Sequence, residues 1–278
     1  MSAPIALPAA IAYGVADFAG GLASRRAPVL AVTAGVQVVG LFVLLPFVFL
    51  VAGAPSGAAF ALGAAGGLAG AAGLLLYLRG LAVGPMGVVA PLSAVVGAGL
   101  PLVIGIVRGE RPSMLTLFAI AVALVAILLA TAGTARGTGA RVGPLLGLGA
   151  GLGFGLFFVA LDATPPDSGL WPVMAGRLTT APVLAVLAVL TLRRGSCRFD
   201  RSALRLVGVS GVFDTGANAL FLLAARAGNL GVSAVIVSLY PVVVVLLARF
   251  VLGERLTGLQ IGSAGLALGA SVLLAVSS

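Results

Sequence analysis

Apolar residues run along this chain in long blocks separated by short breaks of charge, proline or polar turn residues. Cutting at those breaks gives ten runs. The first five are Pro4–Gly21, Val29–Ala52, Ala58–Leu78, Met86–Val107 and Met114–Ala132. The second five are Pro144–Leu161, Leu170–Leu192, Leu206–Ala225, Gly231–Val251 and Thr257–Val276. A bilayer core takes about 20 apolar residues per helix, and the runs are of that size. Strands of a membrane barrel would alternate apolar and polar residues over shorter segments; these runs do not alternate. The pattern predicts an all-α integral membrane protein with about ten transmembrane helices.

The stretch Gly133–Gly143 is rich in Gly, Thr and Arg and parts the chain into two sets of five runs. It predicts a five-helix repeat over residues 1–135, a linker over 136–143 and a second repeat over 144–278. The halves resemble each other. At a shift of 144, Gly84, Gly87, Val88 and Ala90 fall on Gly228, Gly231, Val232 and Ala234. The triplet Gly109-Glu110-Arg111 falls on Gly253-Glu254-Arg255, and Ser113 on Thr257. Earlier the shift is 141, aligning Gly14 with Gly155 and Ala34-Gly35 with Ala175-Gly176. Five is odd, so the second half enters the membrane inverted relative to the first. Inverted repeats are a common plan of secondary transporters, with substrate held near the midplane between the halves.

Composition narrows the reading. Hydrophobic residues make up 61% of the 278, and charged residues only 8%, against about 25% in soluble domains. All 16 basic residues are Arg, and His is absent. The net charge of +9 is spread between apolar runs rather than gathered on one face, so it predicts no nucleic-acid partner. With no His and with Cys197 alone, neither a metal site nor an internal disulfide is expected. No cofactor and no catalytic residue is assigned, and no basic n-region of a signal peptide precedes the first run. An intramembrane enzyme lacks acid–base equipment here.

Ionisable groups at membrane depth are costly and usually face a wet cavity or a partner. Asp214 lies mid-run with Asn218 one turn on and Phe221 continuing that face. This predicts an acid, an amide and an aromatic wall, acting as an amine anchor or a proton switch, with an ion pair to Arg177 as the structural alternative. Asp17 follows Tyr13 by one turn and is either a second coupling acid or an interfacial one. Arg177 suits a substrate carboxylate or an internal pair. Gln37, Ser93 and Ser238 are polar candidates inside runs, with interhelical bonding as their commoner use. Tyr240 precedes Pro241, whose missing N–H frees a backbone carbonyl. Glu110 and Glu254 read as helix-end charges, and Trp171 as an interfacial anchor. Glycines four apart, at Gly63/Gly67, Gly66/Gly70, Gly147/Gly151/Gly155 and Gly265/Gly269, predict close helix packing. The last pair is also available to a homodimer.

The two Gly-Glu-Arg turns, Pro241 thirteen residues before Glu254, and the pairs Tyr13-Gly14 and Phe154-Gly155 resemble the EamA family of the drug/metabolite transporter superfamily. The likeness spans nearly the whole chain. Gly97 stands where the first half would match Pro241, and Tyr13 and Phe154 stand where relatives often carry Trp. The resemblance implies that helices one, three, four, six, eight and nine line the cavity, with five and ten outside it. It implies export of a small metabolite or drug-like solute by alternating access, without ATP; proton coupling is an expectation that rests on Asp214 and Asp17 themselves. The implied setting is a bacterial plasma membrane, with the bilayer and a small-molecule substrate as partners. A non-transporting scaffold or lipid-handling subunit is the alternative. Orientation is contested: breaks after odd-numbered runs carry twelve Arg and those after even-numbered runs three. The positive-inside rule then places both termini outside, whereas the resemblance implies cytoplasmic termini.

Overall fold

A computed structural model describes residues 3–107, 113–132, 142–194, 200–227, 237, 240–253 and 257–277. Among them are ten α-helices and no strand. The first half contributes α1 (Ala3–Ser24), α2 (Val29–Leu50), α3 (Gly57–Val83), α4 (Met86–Val107) and α5 (Met114–Ala132). The second contributes α6 (Val142–Asp162), α7 (Trp171–Arg194), α8 (Arg201–Ala227), α9 (Tyr240–Leu252) and α10 (Gly258–Ser277). A 3-10 turn, Pro166–Ser168, precedes α7. Helices α2, α3, α6 and α7 are each long and apolar enough to cross a bilayer, and shorter apolar stretches lie in α4, α9 and α10. The residues that turn outward are themselves apolar: Leu50 is 76% exposed and Phe250 82%. Such surface belongs against lipid.

Two helices outrun their apolar runs. α3 continues past Arg79 to Val83, because a helix of 27 residues spans about 40 Å and reaches the headgroup region, where a charge is tolerated. Ser56 caps its start by accepting from the Ala59 N–H at 3.1 Å. α8 begins five residues before Leu206. Asp200 stands just ahead of it, its carbonyl accepting from the Leu204 N–H at 3.0 Å. The Ser202 hydroxyl donates to Asp200 Oδ2 at 2.6 Å and holds this exposed carboxyl below its ordinary range. Arg26 Nη1 donates to Ser202 Oγ at 3.0 Å, tying the α1–α2 turn to the start of α8.

The most extensive helix pairings are α3 with α6, α1 with α8, α4 with α6 and α5 with α10; α3 also packs on α7, and α4 on α10. α1 packs against α2, α3, α8 and α9; α2 against α7 and α8; and α5 against α10. α1 is therefore interior, whereas α5 and α10 pair at one edge. Glycine sets several of these approaches. A Cβ on Gly67 of α3 would land on Gly176 Cα of α7, so backbone meets backbone there. Gly151 and Gly155 of α6 pack likewise on α4. α10 differs from expectation: Ser263, Ala264, Ala267 and Ala270 are its buried face, and Gly265 and Gly269 point the other way with no described atom within 4 Å.

The helix ends alternate as ten crossings require. Arg25 Nε donates to Leu81 O at 3.2 Å, joining the α1–α2 turn to the end of α3. At the opposite face Ala54 N–H donates to Asp167 O at 2.9 Å, joining the α2–α3 and α6–α7 connections. Trp171 anchors that face between Phe49 (centroids 5.8 Å apart) and Phe60 (6.0 Å), and its Nε1 donates to Gly53 O at 3.3 Å. Of the predicted linker 136–143, residues 136–141 lie outside the described residues, as do Glu110 and Glu254, and Val142 and Gly143 belong to α6.

Candidate substrate site

Polar side chains are rare inside this bundle, and the charged ones gather with others in two neighbouring groups. The first sits where α2, α7 and α8 meet. Arg177 of α7 is buried (6% exposed), and its Nη2 lies 2.5 Å from Asp214 Oδ2 of α8. Its Nη1 donates to Gln37 Oε1 of α2 at 2.9 Å. Gln37 Nε2 in turn donates to Thr180 Oγ1 at 3.1 Å. The Thr180 hydroxyl donates back to the Gly176 carbonyl at 2.9 Å. Gln37 thus orients the guanidinium from one helix while Asp214 neutralises it from another. A buried charge needs this combination of counter-ion and hydrogen bonds. Arg177 Nε and the Thr215 hydroxyl are buried beside them with no partner.

The room for the guanidinium comes from Gly40. A Cβ there would fall on Arg177 Nη1 and within 2.7 Å of Cζ and of Thr215 Oγ1. Gly40 lies one turn after Gln37, so one helix face supplies both the hydrogen-bond partner and the gap. Asn218 does not extend its amide away from α8: its Nδ2 donates to the Asp214 carbonyl at 2.7 Å. Phe221 is half-buried one turn further along.

The second group surrounds Asp17 of α1. Tyr77 of α3 is fully buried and donates its hydroxyl to Asp17 Oδ2 at 2.9 Å. Its ring meets Phe154 of α6 edge-on, centroids 5.7 Å apart. Tyr13, one turn before Asp17, packs against Tyr240 of α9 with centroids 6.2 Å apart. Gly14 permits that pairing, since a Cβ on it would run into Val243 and approach the Tyr240 carbonyl to 2.9 Å. The Tyr240 hydroxyl is directed toward Tyr77 and toward Ser93 of α4, and the fully buried Ser93 hydroxyl completes no hydrogen bond of good geometry. Asp214 lies close enough to Asp17 and Tyr13 for its charge to be felt by both. Pro241 is buried, second in the described span of α9. Ser238 lies outside the described residues.

Tyr13, Asp17, Asp214, Asn218 and Tyr240 are half-buried. Three of the members were not candidates on sequence. Tyr77 sat at the end of an apolar run, Thr180 resembled any threonine in a helix, and Gly40 was one glycine among 41. The i, i+3 spacing of Arg177 and Thr180 was the one available signal.

The EamA-like transporter family matches residues 141–276, which carry Arg177, Asp214 and Tyr240. That match covers the second half of the chain, and the family lies within the drug/metabolite transporter superfamily. A solved crystal structure of a protein superposes over 98% of this chain and 99% of its own, with a TM-score of 0.65 and 16% identity. That likeness is one of fold. Comparison with curated proteins finds no match. The match over residues 141–276 and four apolar helices of spanning length together point to a multi-pass membrane protein.

Proposed function

We propose that this EamA-like protein is a secondary exporter that moves a small metabolite or drug-like solute across the plasma membrane by alternating access, with Asp17, Asp214 and Arg177 at its centre. The carrying observation is that charged, half-accessible side chains from both halves of the chain converge inside a bundle whose outer surface is apolar. A scaffold subunit has no need of them, and each is costly at membrane depth.

The mechanism draws on two inverted five-helix repeats. Exchanging each helix for the one five later turns the α3–α6 contact into α8–α1, α4–α6 into α9–α1 and α3–α7 into α8–α2. The α2–α7 and α5–α10 contacts map onto themselves. Gly14 against α9 has its counterpart in Gly155 against α4, where a Cβ would approach the Gly97 carbonyl to 3.2 Å. A pseudo-two-fold of this kind gives two arrangements of similar energy, one open to each side. Asp214 serves as the coupling acid: a proton or substrate that binds it competes with Arg177 and releases the ion pair that ties α8 to α7.

The test is a thermal-shift screen of purified protein against amino acids, amines, sugars, nucleosides and cationic drugs. A ligand at a hundredfold excess over its Kd stabilises by about 2.7 kcal/mol. A class that shifts the wild type, is taken up in proteoliposomes and loses both effects in Asp214→Asn bears the reading out. Absence of any shift and any uptake across the panel overturns it.

A further inference from the structure

The break between α3 and α4 strands two backbone carbonyls. The Leu81 carbonyl would accept from residue 85 in a continuing helix, but that residue is Pro85 and has no N–H. The Gly84 carbonyl would accept from Val88, whose N–H goes instead to the Pro85 carbonyl at 3.0 Å. The Gly84 N–H is itself committed to the Gly80 carbonyl at 2.8 Å. Helix-end carbonyls of this kind take donors from elsewhere. Arg25, in the turn after α1, supplies both. Its Nε donates to Leu81 O at 3.2 Å and its Nη2 to Gly84 O at 3.4 Å. A cation is also favoured there by the helix dipole.

These two bonds are the outermost level of a seam. One turn inside Arg25, a Cβ on Gly21 would lie 2.8 Å from Leu81 Cβ of α3 and 3.0 Å from Met86 Cε of α4. A Cβ on Gly20 would lie 2.8 Å from both Leu78 Cδ2 and the Ser210 hydroxyl of α8. That hydroxyl donates to the Ala16 carbonyl at 2.8 Å. Leu78, Leu81 and Met86 are buried, in one core with Phe18, Val207 and Val244. The next level inward is Asp17, bonded to Tyr77. α1 and α3 are therefore tied by a polar contact at the site and by another at the bundle's end, with apolar side chains packed between. Reaching Asp17 from this end means parting that seam, and Arg25 is its first contact. The other end is built differently. At the shift of 141 relating the halves, Arg25-Arg26 falls on Pro166-Asp167. There the tie is from backbone to backbone, Ala54 N–H to Asp167 O.

We propose that the seam of α1 with α3 and α4 is a gate, closed in this structure, and that Arg25 is its latch. The proposal rests on the transporter reading above and adds to it what holds one of the two states. Arg25 is exposed, so water can replace its bonds as the helix ends separate. The latch thus biases the exchange without blocking it.

The experiment measures thiol labelling of the full-length detergent-purified protein by a water-soluble maleimide, in a Cys197→Ser background. Ser24 is buried and its hydroxyl has no partner, so Ser24→Cys puts a small buried thiol next to the latch. Asn218→Cys reports from beside Asp214, in the half of α8 away from this end. Arg25→Gln, too short to span both carbonyls, is expected to raise the Ser24→Cys rate about fivefold or more. It is expected to lower the Asn218→Cys rate about twofold, as opening one end closes the other. Gly21→Ala wedges the seam with Arg25 in place and should move both rates the same way. Arg201→Gln, which removes an exposed cation at the start of α8, should move neither. An unchanged Ser24→Cys rate in Arg25→Gln overturns the latch. So does a rise at Ser24→Cys with Asn218→Cys unchanged or also faster, since that is fraying or general loosening. An equal effect of Arg201→Gln overturns it as well, by reducing it to net charge. No solute enters these measurements. Solute uptake by the wild type with labelling indifferent to Arg25→Gln leaves the transporter and removes the latch; the expected labelling with no uptake across the panel removes the transport reading instead.

Discussion

Gly40→Ala offers a test in which the ordinary expectation has the opposite sign. In a helix interior Gly→Ala normally stabilises, by about 1 kcal/mol. Here the new methyl falls on the Arg177 guanidinium. The head group must move, and moving it separates Nη2 from Asp214 and Nη1 from Gln37. Breaking a buried pair costs about 3–5 kcal/mol; the lower end applies because the Asp214 side chain keeps 21% of its exposure. The net loss is then about 2 kcal/mol. At about 2–4 °C per kcal/mol, the melting temperature falls by about 4–8 °C. Arg177→Ala is itself destabilising, because it leaves Asp214 alone, but it also empties the space the methyl would enter. In that background Gly40→Ala should gain about 1 kcal/mol. The cycle therefore has a coupling of about 3 kcal/mol, as large as contacting residues show. The assay is thermal unfolding of the four proteins in one detergent, followed by intrinsic fluorescence. A Gly40→Ala protein as stable as wild type, or one whose loss persists unchanged without Arg177, would refute the reasoning.

Gly14→Leu should separate α1 from α9, because its side chain would enter the Tyr240 carbonyl and Val243; transport should be lost while α3–α6 packing, read by protease resistance, survives. By the positive-inside rule, the Arg-rich breaks after odd-numbered runs predict that both termini lie outside. Cys197, the only cysteine, falls in the Arg-rich break after the seventh run, so on that prediction an impermeant maleimide should label it in inverted vesicles and spare it in intact cells. Asp200 has a lowered pKa in the folded protein. Its stabilising effect is thus complete above the unfolded-state value and lost as pH falls through the lowered one. Asp200→Asn should flatten the acid limb of the stability–pH curve there and change little at neutral pH.

The helices were legible because a bilayer imposes one rule, about 20 apolar residues per crossing, and the chain obeys it with few exceptions. α4 and α5 begin and end where their runs do. The misses came at α3 and α8, where charged residues continue a helix into the interface. The Arg177–Asp214 pair was foreseeable, since two opposite charges in hydrocarbon have few other options. Its third member was not: nothing in the sequence brings Gln37 to Arg177 across 140 residues. Tyr77 was missed for a related reason, because its value lies in a hydrogen bond to Asp17 from another helix. The glycine stripes were half legible. Spacing identified the close face of α3, but it could not tell which side of α10 would be covered.

Alternating access itself is most directly tested by labelling the site from each side. Asn218→Cys in a Cys197→Ser background places one thiol beside Asp214. In proteoliposomes an impermeant maleimide is added outside or trapped inside, with and without the solute giving the largest thermal shift. The account predicts labelling from both faces, with the solute raising one rate and lowering the other. A thiol reached from one face alone, at a rate indifferent to solute, would contradict it.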